Sequence, residues 1–285
     1  MKKLILYLVC CLLILSCACS KDKEQIERKK ESINETSILG NTEEIISKNY
    51  TVQYGWFVNS ENQIYRSGED LKETELVLEI SDVSDMAGQV DTFFVNKECA
   101  FLSYFSDIQE IVVMYTDDSG KTWQKTLVPY KEHGGPNETY LSFVDENMGY
   151  LLYLSDPATG SMNKILYVSK DGGKTFKEQA ELSNVMRNHP CDMLFFTEQC
   201  GFLTTINYGE EAYLYQTEDG GLNWKPVELD VPNIEDFSYV NGVSLEKTEN
   251  SDKQATLILK GVGVTENVYF EFVTKDAGKT WTLNE

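Results

Sequence analysis

The groups that could do chemistry in this chain are unevenly supplied. There are 46 Asp and Glu side chains, but only two histidines (His133, His189), three arginines (Arg28, Arg66, Arg187) and seven cysteines. Glycoside hydrolysis needs two carboxyl groups at a set separation, and with so many acids the sequence cannot single out a pair. Clamping a substrate carboxylate calls for planar, bidentate arginine donors, which lysine replaces poorly. Three arginines spread over 285 residues are a thin stock for such a clamp. No cysteines show C-x-x-C spacing with a distant partner pair, and the histidines are far from each other, so neither a metal site nor a cofactor is expected. Gly261-Val262-Gly263 lacks the third glycine of a dinucleotide loop, Gly134-Gly135 lacks the Lys-Ser/Thr of a phosphate loop, and no Gly-x-Ser-x-Gly elbow is present.

One cysteine sits in a context that assigns it a reaction. Met1-Lys2-Lys3 is basic, Leu4 to Leu15 is an unbroken apolar run, and Ile14-Leu15-Ser16-Cys17 ends it. The run is too short to cross a bilayer and fits the core of an export signal. Its ending resembles the cleavage box of bacterial lipoproteins, in which the cysteine receives the lipid and becomes the mature N-terminus. The resemblance implies a signal peptide over 1–16 and lipidation of Cys17, with Cys19 the weaker candidate, and so anchorage on the outer face of a membrane. Residues 17–44 mix acids and bases with few large apolar side chains and read as a charged tether. Cys19, Cys99, Cys191 and Cys200 are expected to be free thiols.

The remaining chain, 45–285, repeats itself. Four octets share one pattern: Thr116 to Trp123, Ser169 to Phe176, Thr217 to Trp224 and Thr274 to Trp281, each with Ser/Thr, Asp two on, Gly two further and an aromatic last. Chance would supply that combination at about 10⁻⁵ per start position at ordinary residue usage. Each octet lies between two β-type runs, so it reads as a hairpin turn with the Asp accepting backbone N–H bonds and the Gly at positive φ. A second match precedes it: Phe94 to Leu102, Phe143 to Leu151 and Phe196 to Leu203. These predict an earlier hairpin, hence four strands per unit. Cys99, Met148 and Cys200 fall at one repeat position, which favours a buried apolar role. A degenerate first unit covers Tyr54 to Leu78. The markers Ser67, Thr116, Ser169, Thr217 and Thr274 recur roughly every fifty residues, the period of a propeller blade.

The octets resemble the Asp-box of the BNR-repeat β-propellers, a family that includes sialidases, sortilin-type receptors and photosystem II assembly-factor propellers. The resemblance implies an all-β propeller of four-stranded blades, about five here. It implies a structural role for Asp118, Gly120 and Trp123, for Asp171, Gly173 and Phe176, for Asp219, Gly221 and Trp224, and for Asp276, Gly278 and Trp281. It also implies a ligand face at the opposite end from the boxes. That end collects the loops between blades and between second and third strands, and it receives His133, Arg187 and His189 together with Asp156 and Glu210.

Function is read with these pieces. Arg28 lies in the tether, so at most two arginines reach a propeller centre and the sialidase clamp cannot be assembled. A net charge of −21 repels nucleic acid and anionic lipid, which leaves the lipid anchor as the membrane contact. The expectation is a non-catalytic recognition or assembly module at the cell surface, binding a protein or a glycan. The alternative is an exo-acting glycoside hydrolase that is not a sialidase. An enzyme would show an axial pocket with a carboxylate pair, one of raised pKa.

Overall fold

The computed structural model describes residues 54–58, 61–67, 74–84, 90–130, 135–156, 162–207, 212–248, 251–264 and 266–284. The expectations for 1–16, Cys17, 17–44, His133 and Glu210 lie outside the described residues.

The chain forms antiparallel sheets in sequence order. The first blade contributes β1 (Trp56–Val58), β2 (Gln63–Ser67) and β3 (Thr74–Glu79). The second holds β4 (Asp91–Phe94), β5 (Ala100–Phe105), β6 (Ile111–Thr116) and β7 (Gln124–Val128), paired in that order. The third repeats it with β8 (Pro136–Phe143), β9 (Gly149–Ser155), β10 (Lys164–Ser169) and β11 (Lys177–Glu181). The fourth runs β12 (His189–Phe195), β13 (Gly201–Asn207), β14 (Leu214–Thr217) and β15 (Lys225–Val227). The fifth runs β16 (Phe237–Lys247), β17 (Ala255–Gly263), β18 (Asn267–Thr274) and β19 (Thr282–Leu283). The fold is an all-β propeller of four-stranded blades, with five units among the described residues, the first showing three strands.

Burial explains why the central strands read as continuous apolar runs rather than alternating ones. In Tyr150-Leu151-Leu152-Tyr153-Leu154 every side chain is buried. Leu151 and Tyr153 pack with Phe101, Phe105 and Val113 of the second blade, whereas Tyr150, Leu152 and Leu154 pack with Met193, Phe195 and Leu203 of the fourth. A sheet covered on both faces needs apolar residues at both parities. Two more clusters do the same work: Trp56 and Ile64 meet Phe94, Leu102 and Val112, and Leu194 and Phe202 meet Leu257, Leu259 and Phe272. An aromatic stack recurs between blades, with Phe94 on Trp56, Phe143 on Phe101 and Phe195 on Tyr150. The register therefore puts Phe195 opposite Gly201, as Phe143 is opposite Gly149, so Phe195 rather than Phe196 is the repeat partner of Phe94 and Phe143. The adjacent Phe195-Phe196 pair hides this in the sequence.

The fourth and fifth blades are not separate sheets. Ile206 and Asn207 of β13 pair with Asn241 and Val240 of the eleven-residue β16, which fuses the two. Gly242 permits the approach: a Cβ there would stand 2.5 Å from Thr204 Cβ. Successive units that read as equivalent in sequence thus differ where one inner strand is extended.

Candidate functional site

The four octets close on themselves with one hydrogen-bond scheme. In the first, Thr116 Oγ1 donates to Asp118 Oδ1 at 2.8 Å, Gly120 N donates to Thr116 Oγ1 at 3.0 Å, and Thr122 donates from N to Oδ1 and from Oγ1 to Oδ2 of Asp118 at 2.9 and 2.7 Å. Asp171 with Thr175, Asp219 with Asn223 and Asp276 with Thr280 repeat it. These bonds hold the Asp118 and Asp276 carboxyls down to about 2, the backbone N–H of Thr122 and Thr280 being the largest cause. Gly120, Gly173, Gly221 and Gly278 are all at positive φ. Each also abuts the preceding blade: added Cβ atoms would meet Val77, Phe101, Leu166 and Phe202 respectively. Phe176 and Trp224 are buried; Trp123 and Trp281 are half-buried and pack edge-on against Trp56 and Phe202.

The opposite end carries three of the loop residues named from the sequence, Asp156, Arg187 and His189. Arg187 is exposed in the β11–β12 connection, and Asp156 is exposed after β9, its N–H bonded to Gly135 O at 2.8 Å. His189 opens β12 and places Nε2 3.2 Å from Glu138 Oε2 on β8. Tyr140 donates to the same Glu138 oxygen and lies 3.3 Å from Pro190 O. Burial first, and then the Glu138 charge, pushes the Tyr140 hydroxyl well above its ordinary pKa, so it is a poor source of a phenolate. The pairing of Glu138 with His189 has no local signature in the sequence, because the two residues are 51 apart.

A second cluster, also missed, sits on the inner strands. Asp91 Oδ2 accepts Leu141 N of the next blade at 2.6 Å, and Asp192 Oδ2 accepts Leu245 N of the next blade at 2.8 Å, its Oδ1 taking Met193 N at 2.7 Å. Ser142 serves the intervening junction by accepting Phe195 N at 2.7 Å. Burial, then the neighbouring Asp91 charge, raises the Asp192 carboxyl to about 8. The signal was present as Asp91-Thr-Phe-Phe94 and Asp192-Met-Leu-Phe195, the same Asp-x-x-Phe at one register. Asp192, but not Asp91, lines a cavity of about 500 Å³ between the inner strands β4, β8, β12 and β16. That cavity extends to the β4–β5, β8–β9 and β16–β17 hairpins, on the octet end of the axis.

Among the described residues Cys99, Cys191 and Cys200 form no disulfide, and burial pushes the Cys99 thiol up to about 12. Among the described residues no group of three His, Cys, Asp or Glu is placed to hold a metal ion, and no helix is long and apolar enough to cross a membrane.

Sheet order, inter-blade cores and fastened hairpins together define a β-propeller with a polar axial cavity. No protein-family model and no curated protein sequence matches the chain. Among solved structures it is similar to a GH74 enzyme of Niastella koreensis, at 12% identity and a TM-score of 0.49 over 80% of this chain and 43% of that one. It is similar also to the GH93 α-L-arabinofuranosidase of Fusarium graminearum in complex with arabinobiose, at 12% identity and 0.45 over 68% and 65%. YCF48 from Cyanidioschyzon merolae shares 11% identity and scores 0.37 over 79% and 80%. The chain spans less than half the length of the GH74 enzyme.

Proposed function

We propose that this chain is a cell-surface protein, anchored by lipid on Cys17, whose propeller is a non-catalytic recognition module. It engages a protein or glycan partner through the loop end opposite the octets. The observation that carries this reading is the character of that end. Ile108, Val185, Ile234 and Val264 lie on its loops at 71, 42, 41 and 94% exposure, and Arg187 and Asp156 on its loops are exposed as well. Aliphatic side chains held in solvent on the loops of one end offer apolar anchors for a partner surface. The described loop-end groups do not converge on a nucleophile with a base: Glu138 is shared by His189 and a deeply buried Tyr140.

The test is site-specific photocrosslinking in cells, from Val264 and from Leu222 at the octet end, with purified protein applied in parallel to a glycan array. Crosslinks or glycan signal that vanish in an Ile108→Ser/Val264→Ser variant support the reading. Partner binding unaffected by that variant and by Arg187→Ala overturns it.

One observation favours the hydrolase alternative: Asp192 carries a raised carboxyl pKa in a cavity and feels Asp91 nearby. Against it, both Asp192 oxygens already accept backbone N–H groups, which marks a fastener between blades. Release of reducing sugar that is lost in Asp192→Asn, with the variant still folded, would move the assignment to a hydrolase.

A further inference from the structure

The axial cavity lies at the octet end, away from the loops just discussed, and its lining is strongly one-signed. Asp192 holds its proton at neutral pH and adds no charge, but the lining carries Asp145 and Glu146 from the β8–β9 hairpin, Glu246 from β16 and Asp252 from the β16–β17 connection. Lys247 is the one cationic side chain among the described residues of the lining, 3.5 Å from Asp252. Asp145 Oδ1 is occupied by the N–H groups of Asn147 and Met148, and Glu146 Oε1 takes the Asn96 amide, so these side chains are held in place at the rim.

A second observation is independent of the acids. Thr92 lines the same cavity, is 3% exposed, and its Oγ1 has no hydrogen-bond partner among the described residues. The residues at its register on the other inner strands are Leu141, Met193 and Leu245, which ask for no partner. A buried hydroxyl without a partner is costly and calls for an explanation. A ligand donor reaching the floor would supply one.

We propose that the axial cavity is a binding site for an extended basic peptide segment, which inserts a lysine or arginine side chain between the rim carboxylates towards Thr92. A volume of about 500 Å³ admits side chains and not a folded domain. The net charge of −21 steers a cationic segment towards the protein, and the concave acidic rim concentrates that field at the axis.

The probe is a fluorescent peptide of three lysines flanked by Gly-Ser, compared with three-glutamate and Gly-Ser-only versions, titrated by anisotropy into the full chain held in detergent. Saturable one-to-one binding of the lysine peptide alone is expected. Glu246→Gln/Asp252→Asn should weaken it about tenfold, whereas Asp230→Asn/Glu235→Gln, which removes the same charge at the loop end, should change it less than twofold. Thr248→Trp should block the rim with no change in charge, and Thr92→Val should weaken binding about threefold while leaving the melting temperature unchanged or raised. Equal weakening by the two charge-removing pairs, which marks diffuse attraction of a polycation, overturns the proposal. So does a full chain that binds none of the peptides. Ile108→Ser/Val264→Ser should leave this binding intact, so the loop-end reading can fail without it.

Discussion

Replacing Asp192 by Asn changes one atom in a side chain whose two oxygens both accept buried N–H groups, from Met193 at 2.7 Å and from Leu245 at 2.8 Å. The amide has one acceptor, so one donor must face an NH₂ group and go unpaired. An orphaned buried donor costs about 1–3 kcal/mol, and a domain of this size loses about 2–4 °C per kcal/mol. At pH 5 the variant should therefore melt roughly 2–12 °C lower. The pH dependence is the sharper part. Burial and the Asp91 charge raise this carboxyl to about 8 in the folded state against an ordinary 3.8. Between those values the folded protein holds a proton that the unfolded chain has released. Stability from this group is full below pH 3.8 and is lost as pH rises towards 8, at up to about 1.4 kcal/mol per pH unit. The Asn variant lacks that slope. Its deficit should shrink by about 3–4 kcal/mol from pH 5 to 8 and change sign on the way. Urea titrations of both proteins at pH 5, 6, 7, 8 and 9 read this directly, since all other titrating groups cancel to first order in the difference. A gap that stays constant over this range would mean that Asp192 is ionised in the fold, and the reasoning would be refuted.

Four further outcomes are expected. Ser119 and Ala277 adopt φ of 65° and 61° where the other octets have Gly172 and Gly220, so Ser119→Gly and Ala277→Gly should each stabilise by about 0.5–1 kcal/mol. In contrast, Gly278→Ala puts a Cβ 2.1 Å from Phe202 Cζ at φ +80° and should destabilise by about 2–4 kcal/mol in the same urea assay. Cys99, its thiol pushed up to about 12, should resist iodoacetamide at pH 7.5 in the native protein and react once urea is added, as mass spectrometry of the labelled peptides would show. Cys17→Ser should abolish fatty-acid labelling and release the protein from membranes on cell fractionation; retained label would move the lipid to Cys19.

How much of this could be read beforehand depends on how far each interaction reaches along the chain. The octets were legible because their bonds join residues two and four apart, such as Asp118 with Thr116 and with Thr122. Strand order followed from the repeat. The inner fasteners were not legible, since Asp91 and Asp192 meet their partners 50 and 53 residues on, although the shared Asp-x-x-Phe marked both positions. The fusion of the last two blades depends on Gly242 passing Thr204, a contact without local signature. Nor could sequence decide at which end of the axis the cavity lies. The scarce cations drew attention to the loop end, while the cavity is bounded mainly by carboxylates that were too numerous to select by type.

The two fastening systems point in opposite directions along the chain, and this shapes where function can reside. At the octet end each box glycine leans on the blade before it, as Gly221 does on Leu166 and Gly278 on Phe202. On the inner strands, Asp91, Ser142 and Asp192 each accept an N–H from the blade after it. A blade is thus held by its predecessor and its successor through different parts of its own sequence. Both sets lie on the strands and the octet hairpins, and the two classes of loop at the far end take no part in them. Substitutions such as Ile108→Ser and Val264→Ser therefore remove recognition surface without touching either set. Changes at the axis do the reverse, because Asp192 lines the cavity and ties two blades at once. Loop-end variants should separate binding from stability, whereas axial variants at Asp192 should move both together.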